Sequence, residues 1–488
     1  PDLLLPGRTV FGTMSAKGQE LDDHYFGAIK ERVGIFMQEL NYELWRLGIS
    51  AKTQHNEVAP NQFEIASIFS TSNHSTDTNQ LVMETLKTVA KRHKMVALLH
   101  EKPFAGVNGS GKHNNWSLST DDGQNLLQPG ESPEDNAQFL LFLTAVITAV
   151  DRYAPYLRLS AANAGNEHRL GANEAPPAII SIFLGEQLSE ILDSIADGTV
   201  YKKRDGQVME VGLTTLPSFP KDMTDRNRTS PFAFTGNKFE FRMVGSSQSL
   251  AGPNVMLNTT IAEVLTEFAE RLSAADDKIA EIKNIVREYY SRHRRVIFNG
   301  NGYSDEWVAE AEKRGLPNLV STVDALKEMV SDECVAIFEK QKVLTRAELE
   351  SRLEIYLETY SKQINIEAGV MVEMAKRLIA PAATRYLQEV LNSVTSQTDL
   401  GIEAPKQLEL AKELSSLINR LLERADSLAE AINSALALED DVLKQAEQYR
   451  EVVIPAMEAL RVEGDSLEKI TDKNHWPYPS YEDMLFRL

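Results

Sequence analysis

The sequence predicts an α+β fold, with a mixed helix-and-strand part over residues 1 to about 345 and a helical C-terminal region over 346–488. Three observations carry this. The run Lys238-Phe239-Glu240-Phe241-Arg242-Met243 alternates charged and apolar residues with the period of two that a strand requires. Short strand-like runs over 49–70 flank Ala59-Pro60-Asn61-Gln62, whose proline and asparagine signal a hairpin turn. Beyond residue 255 almost everything reads as helix.

In chain order, residues 1–20 are irregular, with Pro6-Gly7 and Gly12 as turn signals. From Asp22 to Leu47 the apolar residues Tyr25, Ile29, Phe36, Leu40 and Leu44 keep helical spacing, and Gly48 supplies a stop. After the hairpin a second helix is expected from about Asp77 to Leu99. The loop Asn108–Ser117 follows, and Trp116-Ser117-Leu118 reads as a strand. Next come a helix near 134–152, a glycine- and asparagine-rich stretch at 161–177, a helix over 178–196, and alternating strands and loops over 199–254. Further on, Ile261, Val264, Leu265, Phe268 and Leu272 form one helical stripe. Thr345-Arg-Ala-Glu is a capping-box signature opening a long helix, which Pro381 is expected to kink or end. Pro405 stands where a first helical turn tolerates it. Leu410, Leu414, Leu417, Leu421 and Leu428 then follow at heptad-like spacing.

The 488 residues are 42% hydrophobic and 25% charged, enough for a large core and two or more domains. A net charge of −20 argues against nucleic acid or an anionic membrane as a main partner. One cysteine, Cys334, excludes an intrachain disulfide framework and fits a reducing compartment. The longest apolar stretch, Phe139–Val150, is too short to span a bilayer, and no signal peptide is visible. A cytoplasmic location is the expectation. Because the first residue is proline, the sequence is also expected to begin inside a longer protein.

Two regions carry candidate chemistry. Asn108–Ser117 reads Asn-Gly-Ser-Gly-Lys-His-Asn-Asn-Trp-Ser and brings backbone N–H groups, an amide and the imidazole of His113 together, as an anion and a cation require. The alternative is a glycine turn with a stray histidine. Gly106, Gly111 and Lys112 match most of a phosphate-binding P-loop. However, His113 replaces its Ser/Thr, and the residues after it are poor helix formers, which argues against that motif. The second region is acidic. Glu57 and Glu64 flank the hairpin turn and become facing partners across it, a placement that costs stability unless a cation sits between them. His55 shares the face of Glu57. The bland alternative is a surface hairpin with two solvated glutamates. Glu240 and Arg242 share one face of a strand; they suit a hard cation and a carboxylate, or else form a simple intrastrand pair.

In this order the pieces resemble glutamine synthetase. The matching motifs are Asn56-Glu57-Val58-Ala59-Pro60-Asn61-Gln62-Phe63-Glu64, the Asn108–Ser117 loop, Arg169 with Glu174-Ala175-Pro176, Arg226-Asn227-Arg228, and Phe239-Glu240-Phe241-Arg242 with Gly252-Pro253-Asn254. Lys17-Gly18-Gln19-Glu20 and the ending His475-Trp476-Pro477-Tyr478-Pro479-Ser480-Tyr481 look like the type III branch. The resemblance implies a catalytic domain with a curved antiparallel sheet flanked by helices over 1–345, and the helical region typical of type III over 346–488. It implies ligation of ammonia to the γ-carboxylate of L-glutamate through γ-glutamyl phosphate, with ATP as co-substrate and Mg²⁺ or Mn²⁺ bound. Glu57 and Glu64 then look like ligands of the metal on the glutamate side, and His113 and Glu240 of the metal on the nucleotide side. Asn108 and Gly109 match positions for the ammonium end of glutamate, and Arg169 for its α-carboxylate. Arg242 matches the position near the transferred phosphate and γ-carboxylate, with Arg228 also placed among the catalytic residues. Ser117, Phe69 and Lys238 fall where the family contacts nucleotide. Glu174 matches the flap glutamate that takes a proton from ammonium.

These residue types suit the reaction. Phosphoryl transfer between two anions needs cations and guanidiniums around the moving charge, and a hydrolysable intermediate needs a lid. A homo-oligomer of stacked rings, a dodecamer, is expected by the same resemblance. The sequence departs from the family in places. Asn115 stands for a nucleotide-contacting histidine, and Ala233 for an arginine. A Glu-x-Glu metal-ligand strand and a β-grasp domain are expected upstream of Pro1, so residues 1–488 alone are expected to bind ATP weakly and make no appreciable glutamine. Two other readings stay open. One is a related γ-glutamyl–amine ligase; the other is a non-catalytic oligomerising paralogue, against which the presence together of Glu57, Glu64, His113, Arg169, Glu174, Glu240 and Arg242 argues.

Overall fold

The computed structural model describes residues 1–19, 24–171, 175–201, 208–209, 219–220 and 229–486. By compactness these form two units. One comprises Pro1–Ser110, Asn163–His168 and Ser351–Leu488; the other comprises Gly111–Ala162 and Arg169–Glu350. The first therefore takes residues from both of the consecutive stretches read from the sequence.

In the first unit the helix Glu31–Arg46 presents Val33, Phe36, Met37, Leu40 and Leu44 to a core shared with Val82, Val89 and Ala90 of the helix Ser72–Arg92. The first helix starts later than the apolar pattern suggests. Gly27 interrupts it, and Asn56 donates its side-chain amide to the Gly27 carbonyl at 2.5 Å. The second starts five residues before Asp77, because its opening turns are rich in Ser, Thr and Asn and hide the periodicity. Phe63, Ile65 and Ala51 cover the same core from the antiparallel hairpin of β1 (Ala51–Asn56) and β2 (Phe63–Ser67).

From Ser351 onward the C-terminal helices belong to this unit. The long helix Arg346–Met374 opens on the expected capping box, with the Thr345 N–H donating to Glu348 Oε2 at 2.8 Å. Pro381 does not end the helix. A π-turn, Ala375–Ile379, stops two residues before it and the helix runs on as Ala380–Asp399. The same device recurs at Pro455, after the π-turn Tyr449–Val453. Proline lacks an N–H and its ring collides with the carbonyl four residues back; a wider turn moves that carbonyl away. Pro405 opens the helix Pro405–Leu436, which buries Leu414, Leu417, Leu421 and Leu428. The last helix, Tyr481–Phe486, sets Tyr481 and Leu485 against Ala59 of the hairpin turn and Val107 of the glycine-rich loop.

The second unit carries a four-stranded sheet in the order β3 (Gly111–Trp116), β8 (Phe239–Gly245), β7 (Phe232–Phe234) and β4 (Ile182–Phe183). A separate antiparallel pair joins β5 (Val208–Met209) to β6 (Phe219–Pro220). The four-stranded sheet is not wholly antiparallel, since β4 runs parallel to β7, a pairing that needs a long crossover. The expected helix over 178–196 is instead β4, a turn at Gly185 with φ of 81°, and the helix Glu186–Asp197. Phe239, Phe241 and Met243 of β8 are fully buried, as their period of two requires. Nearly the whole of the helix Ala137–Arg152 is buried in this unit, and the stripe of Ile261, Val264 and Phe268 is buried on the helix Ala251–Ala274.

Candidate active site

The hairpin in the first unit builds the first cluster. His55 pairs with Glu64 and Asn56 with Phe63, and the Glu57 N–H donates to the Gln62 carbonyl at 2.8 Å. Glu57 therefore faces Gln62, and Glu64 is its diagonal neighbour rather than its direct partner. The loop is Val58–Asn61, one residue earlier than the sequence suggests, with Asn61 left-handed at φ of 56°. His55 lies between the carboxylates, its Nε2 2.9 Å from Glu57 Oε1 and 3.1 Å from Glu64 Oε2. One donor atom from each of the three lies within 4.8 Å of the others. Two carboxylates this close repel unless a cation neutralises them, so the set fits a divalent metal. His55 was legible only as a neighbour of Glu57.

The loop beside it is tightly held. Asn108 is buried; its side-chain oxygen accepts from Gln19 Nε2 at 3.0 Å, while its N–H donates to Gln19 Oε1 at 2.5 Å. The Gly109 carbonyl accepts from Gln62 Nε2 at 2.8 Å, which fastens the loop to the hairpin. Lys102 donates to the Val107 carbonyl, and the Ser110 N–H to that of Glu101 at 2.8 Å. No local pattern announces Gln19, whose partner lies 89 residues away.

The second cluster is in the other unit, where β3 meets β8. Lys112 pairs with Val244 and Asn114 with Phe241, so that His113 alone faces two residues, Arg242 and Met243. Such a bulge leaves backbone groups out of the ladder. Arg169, 4% exposed, takes up these carbonyls, donating to Arg242 O at 2.9 Å and Met243 O at 3.4 Å. Gly111 makes room for it, since a Cβ there would collide with the Arg169 guanidinium.

Glu240 stands between His113 and Arg242. Its Oε1 is 3.1 Å from His113 Nδ1, and its Oε2 accepts from Arg242 at 2.9 Å (Nε) and 2.6 Å (Nη2). Burial works to raise the Glu240 pKa, but the hydrogen bonds and charges of His113 and Arg242 outweigh it and hold the group at about 2. Arg242 is itself buried and donates to the Ser230 carbonyl at 3.2 Å. Ala233 is a buried methyl directly opposite Glu240. Asn115, the other departure, lies opposite Glu240 on the β3 side.

Of the remaining candidates, Ser117 donates to Asn125 Oδ1 and to the Asn237 carbonyl, each at 3.0 Å. Lys238 is half-buried at the turn between β7 and β8, and Phe69 is 93% exposed in the first unit. Glu174, Arg226 and Arg228 lie outside the described residues. Lys112 sits within a strand, so the partial P-loop match has no helix behind it. No helix of the described residues is long and apolar enough to cross a membrane.

Residues 11–163 match the glutamine synthetase catalytic domain, and residues 281–398 the glutamine synthetase C-terminal domain. Over its whole length the chain is 45% identical to the type-3 glutamine synthetase of Dictyostelium discoideum, covering 67% of that protein. It is 47% identical to the glutamine synthetase of Butyrivibrio fibrisolvens and 42% identical to that of Bacteroides fragilis, covering 70% and 68% of them. A solved structure of apo GmaS aligns with 68% of this chain, and the chain with 60% of it, at a TM-score of 0.43 and 16% identity. With identities above 40% across every residue of the chain, and with the acidic hairpin, the glycine-rich loop and the Glu240 strand all in place, the chain belongs to the glutamine synthetase family, in its type III branch.

Proposed function

We propose that this protein joins ammonia to the γ-carboxylate of L-glutamate at the expense of ATP, releasing glutamine, ADP and phosphate. The observation that carries this reading is whole-chain identity of 42–47% to three glutamine synthetases. Glu57 and Glu64 would hold one divalent metal, Mg²⁺ or Mn²⁺, and His113 and Glu240 another. When bound, such ions neutralise charge on the phosphates and the γ-carboxylate.

The side chains have their own tasks. Arg242, fixed by Glu240, presents a guanidinium whose charge never titrates away, where negative charge grows during phosphoryl transfer. Asn108 and Gly109 hold the ammonium end of glutamate in a loop already rigid before it arrives, which lowers the entropy cost of binding. Arg169 is assigned the α-carboxylate; it also fixes the bulge that aims Arg242. Ser117, Phe69 and Lys238 are assigned to nucleotide, and Arg228 to the transferred phosphate. Glu174 takes a proton from ammonium, freeing the lone pair that attacks the acyl phosphate. Residues 1–345 carry the chemistry and 346–488 pack and assemble it, in a cytoplasmic oligomer of stacked rings.

The test is glutamine formation by the whole protein from glutamate, ammonium and ATP with Mg²⁺. Glu174→Ala should leave ATP binding near the parent's while slowing turnover at least a hundredfold, as loss of a general base does. Methylammonium used as fast as ammonium would favour a γ-glutamyl–amine ligase. Equal losses of nucleotide affinity and turnover in Glu174→Ala would make that residue structural.

A further inference from the structure

No step of the proposed reaction uses His55, yet the hairpin sets this side chain between its two carboxylates. His55 stands directly opposite Glu64 in the β1–β2 ladder, and Glu57, two residues further along the chain, falls on the same face. Its Nε2 is 2.9 Å from Glu57 Oε1 and 3.1 Å from Glu64 Oε2. The ring of Tyr25 stands edge-on to the imidazole, with centroids 5.1 Å apart, and restrains it from swinging away. All three side chains keep part of their surface open, 28% for His55, 24% for Glu57 and 42% for Glu64, so an ion can reach them from solvent.

Two acceptors at one ring nitrogen are more than a single hydrogen bond explains, because an imidazole N–H points along one line. Both distances have another meaning. Ligands at right angles around an ion with bonds of about 2.1 Å lie about 3.0 Å from each other. The donor atoms of His55, Glu57 and Glu64 all fall within 4.8 Å of one another, so the three converge on one point. An imidazole nitrogen also changes which ion is favoured. Mg²⁺ prefers oxygen ligands, whereas a mixed nitrogen and oxygen site suits first-row dications, beginning with Mn²⁺.

We propose that His55 is a third side-chain ligand of the hairpin metal and that its nitrogen makes this site select Mn²⁺ over Mg²⁺. The proposal rests on the assignment of Glu57 and Glu64 as ligands of that metal.

Electron spin-echo envelope modulation of Mn²⁺ bound to the whole protein tests it, since the method detects nitrogen bonded directly to the ion. The background carries His113→Gln, so that the other cluster supplies no imidazole. Nitrogen modulation is expected there and should vanish when His55→Gln is added. In titrations followed by electron paramagnetic resonance, His55→Gln should weaken Mn²⁺ at least tenfold; in competition, it should weaken Mg²⁺ less than threefold. Should His55→Gln fail to fold by circular dichroism, His55→Asn carries the same test. Modulation absent while Mn²⁺ still binds, and while Glu64→Gln still weakens it, would overturn the proposal and leave the two glutamates as ligands. Equal losses of Mn²⁺ and Mg²⁺ in His55→Gln would overturn the selectivity. Mn²⁺ binding indifferent to both His55→Gln and Glu64→Gln would overturn the proposal together with the assignment beneath it.

Discussion

At Gly111 a single methyl group decides whether Arg169 reaches the carbonyls of the bulge. Gly111→Ala should cost about 1–3 kcal/mol by urea unfolding, the usual range for overpacking, and should lower turnover by tilting Arg242. Unchanged stability and rate would mean that Arg169 has another place to go. On the hairpin, Glu64→Gln should act in opposite directions on two measurements. Removing one of two close carboxylates relieves repulsion, so the metal-free melting temperature should hold or rise. Mn²⁺ affinity, followed by electron paramagnetic resonance, should fall at least tenfold. A fall in both would make Glu64 a structural partner of His55. The shared face of Glu240 and Arg242 was legible because strand periodicity assigns faces without knowing the partner strand, and the closeness of Glu57 and Glu64 because a hairpin turn folds one toward the other. Their register was not, because one residue of turn length and one bulge decide it, and both depend on contacts outside the strand.

Elements were legible in proportion to how locally they are determined. The capping box at Thr345 needs only four consecutive residues, and both its hydrogen bonds form, the return bond from the Glu348 N–H to Thr345 Oγ1 being 3.4 Å. Thr345→Ala should cost about 1 kcal/mol in chemical denaturation, and a loss near zero would mean the first turn is frayed in solution. Tyr481 is the opposite case. Its hydroxyl meets Thr9 Oγ1 at 2.7 Å, the Ala105 N–H at 3.1 Å and Arg461 Nη2 at 2.9 Å, partners drawn from three distant stretches. Its ring stands edge-on to Phe104 at 5.2 Å. Tyr481→Phe keeps the ring but takes away the acceptor of the Ala105 N–H, while Thr9 Oγ1 keeps the Pro103 carbonyl and Arg461 Nη2 that of Gly12; the change should cost about 1–3 kcal/mol. It should also raise the KM for glutamate, because Ala105 leads into the loop of Asn108. A raised unfolding rate with no change in KM would confine Tyr481 to stability.

For the whole molecule, the buried histidines set an acid limit. Burial holds His168 well below its ordinary pKa, helped by the charge of Arg8; burial also lowers His100, against the pull of Glu101 and Glu367. Both are therefore neutral when folded and take up protons on unfolding. Their contribution is intact above pH ~6.5, and each removes up to about 1.4 kcal/mol per pH unit as pH falls below that value. Melting temperature should drop with that onset, and His168→Gln should make the drop shallower; an identical pH profile would locate the limit elsewhere. Deleting residues from 405 onward should leave an insoluble or differently assembled protein, since it removes the leucine stripe and the helix over Ala59 and Val107. An unchanged oligomer of full stability in sedimentation would show the tail to be dispensable.

Each π-turn ahead of a proline adds one residue to its helix, and one residue is about 100° of rotation. Everything after Ile379 therefore faces a direction that an uninterrupted α-helix would not give it, including the buried Ala382, Ala383 and Val390. Replacing Pro381 alone leaves the extra residue in place; deleting a residue from 375–379 alone swings that apolar face toward water and drives the proline into the turn before it. The proline and its extra residue can drift only as a pair, and the same holds for Pro455 and 449–453. Along these two helices a single-residue insertion or deletion is a change of heading, which chain length alone does not reveal.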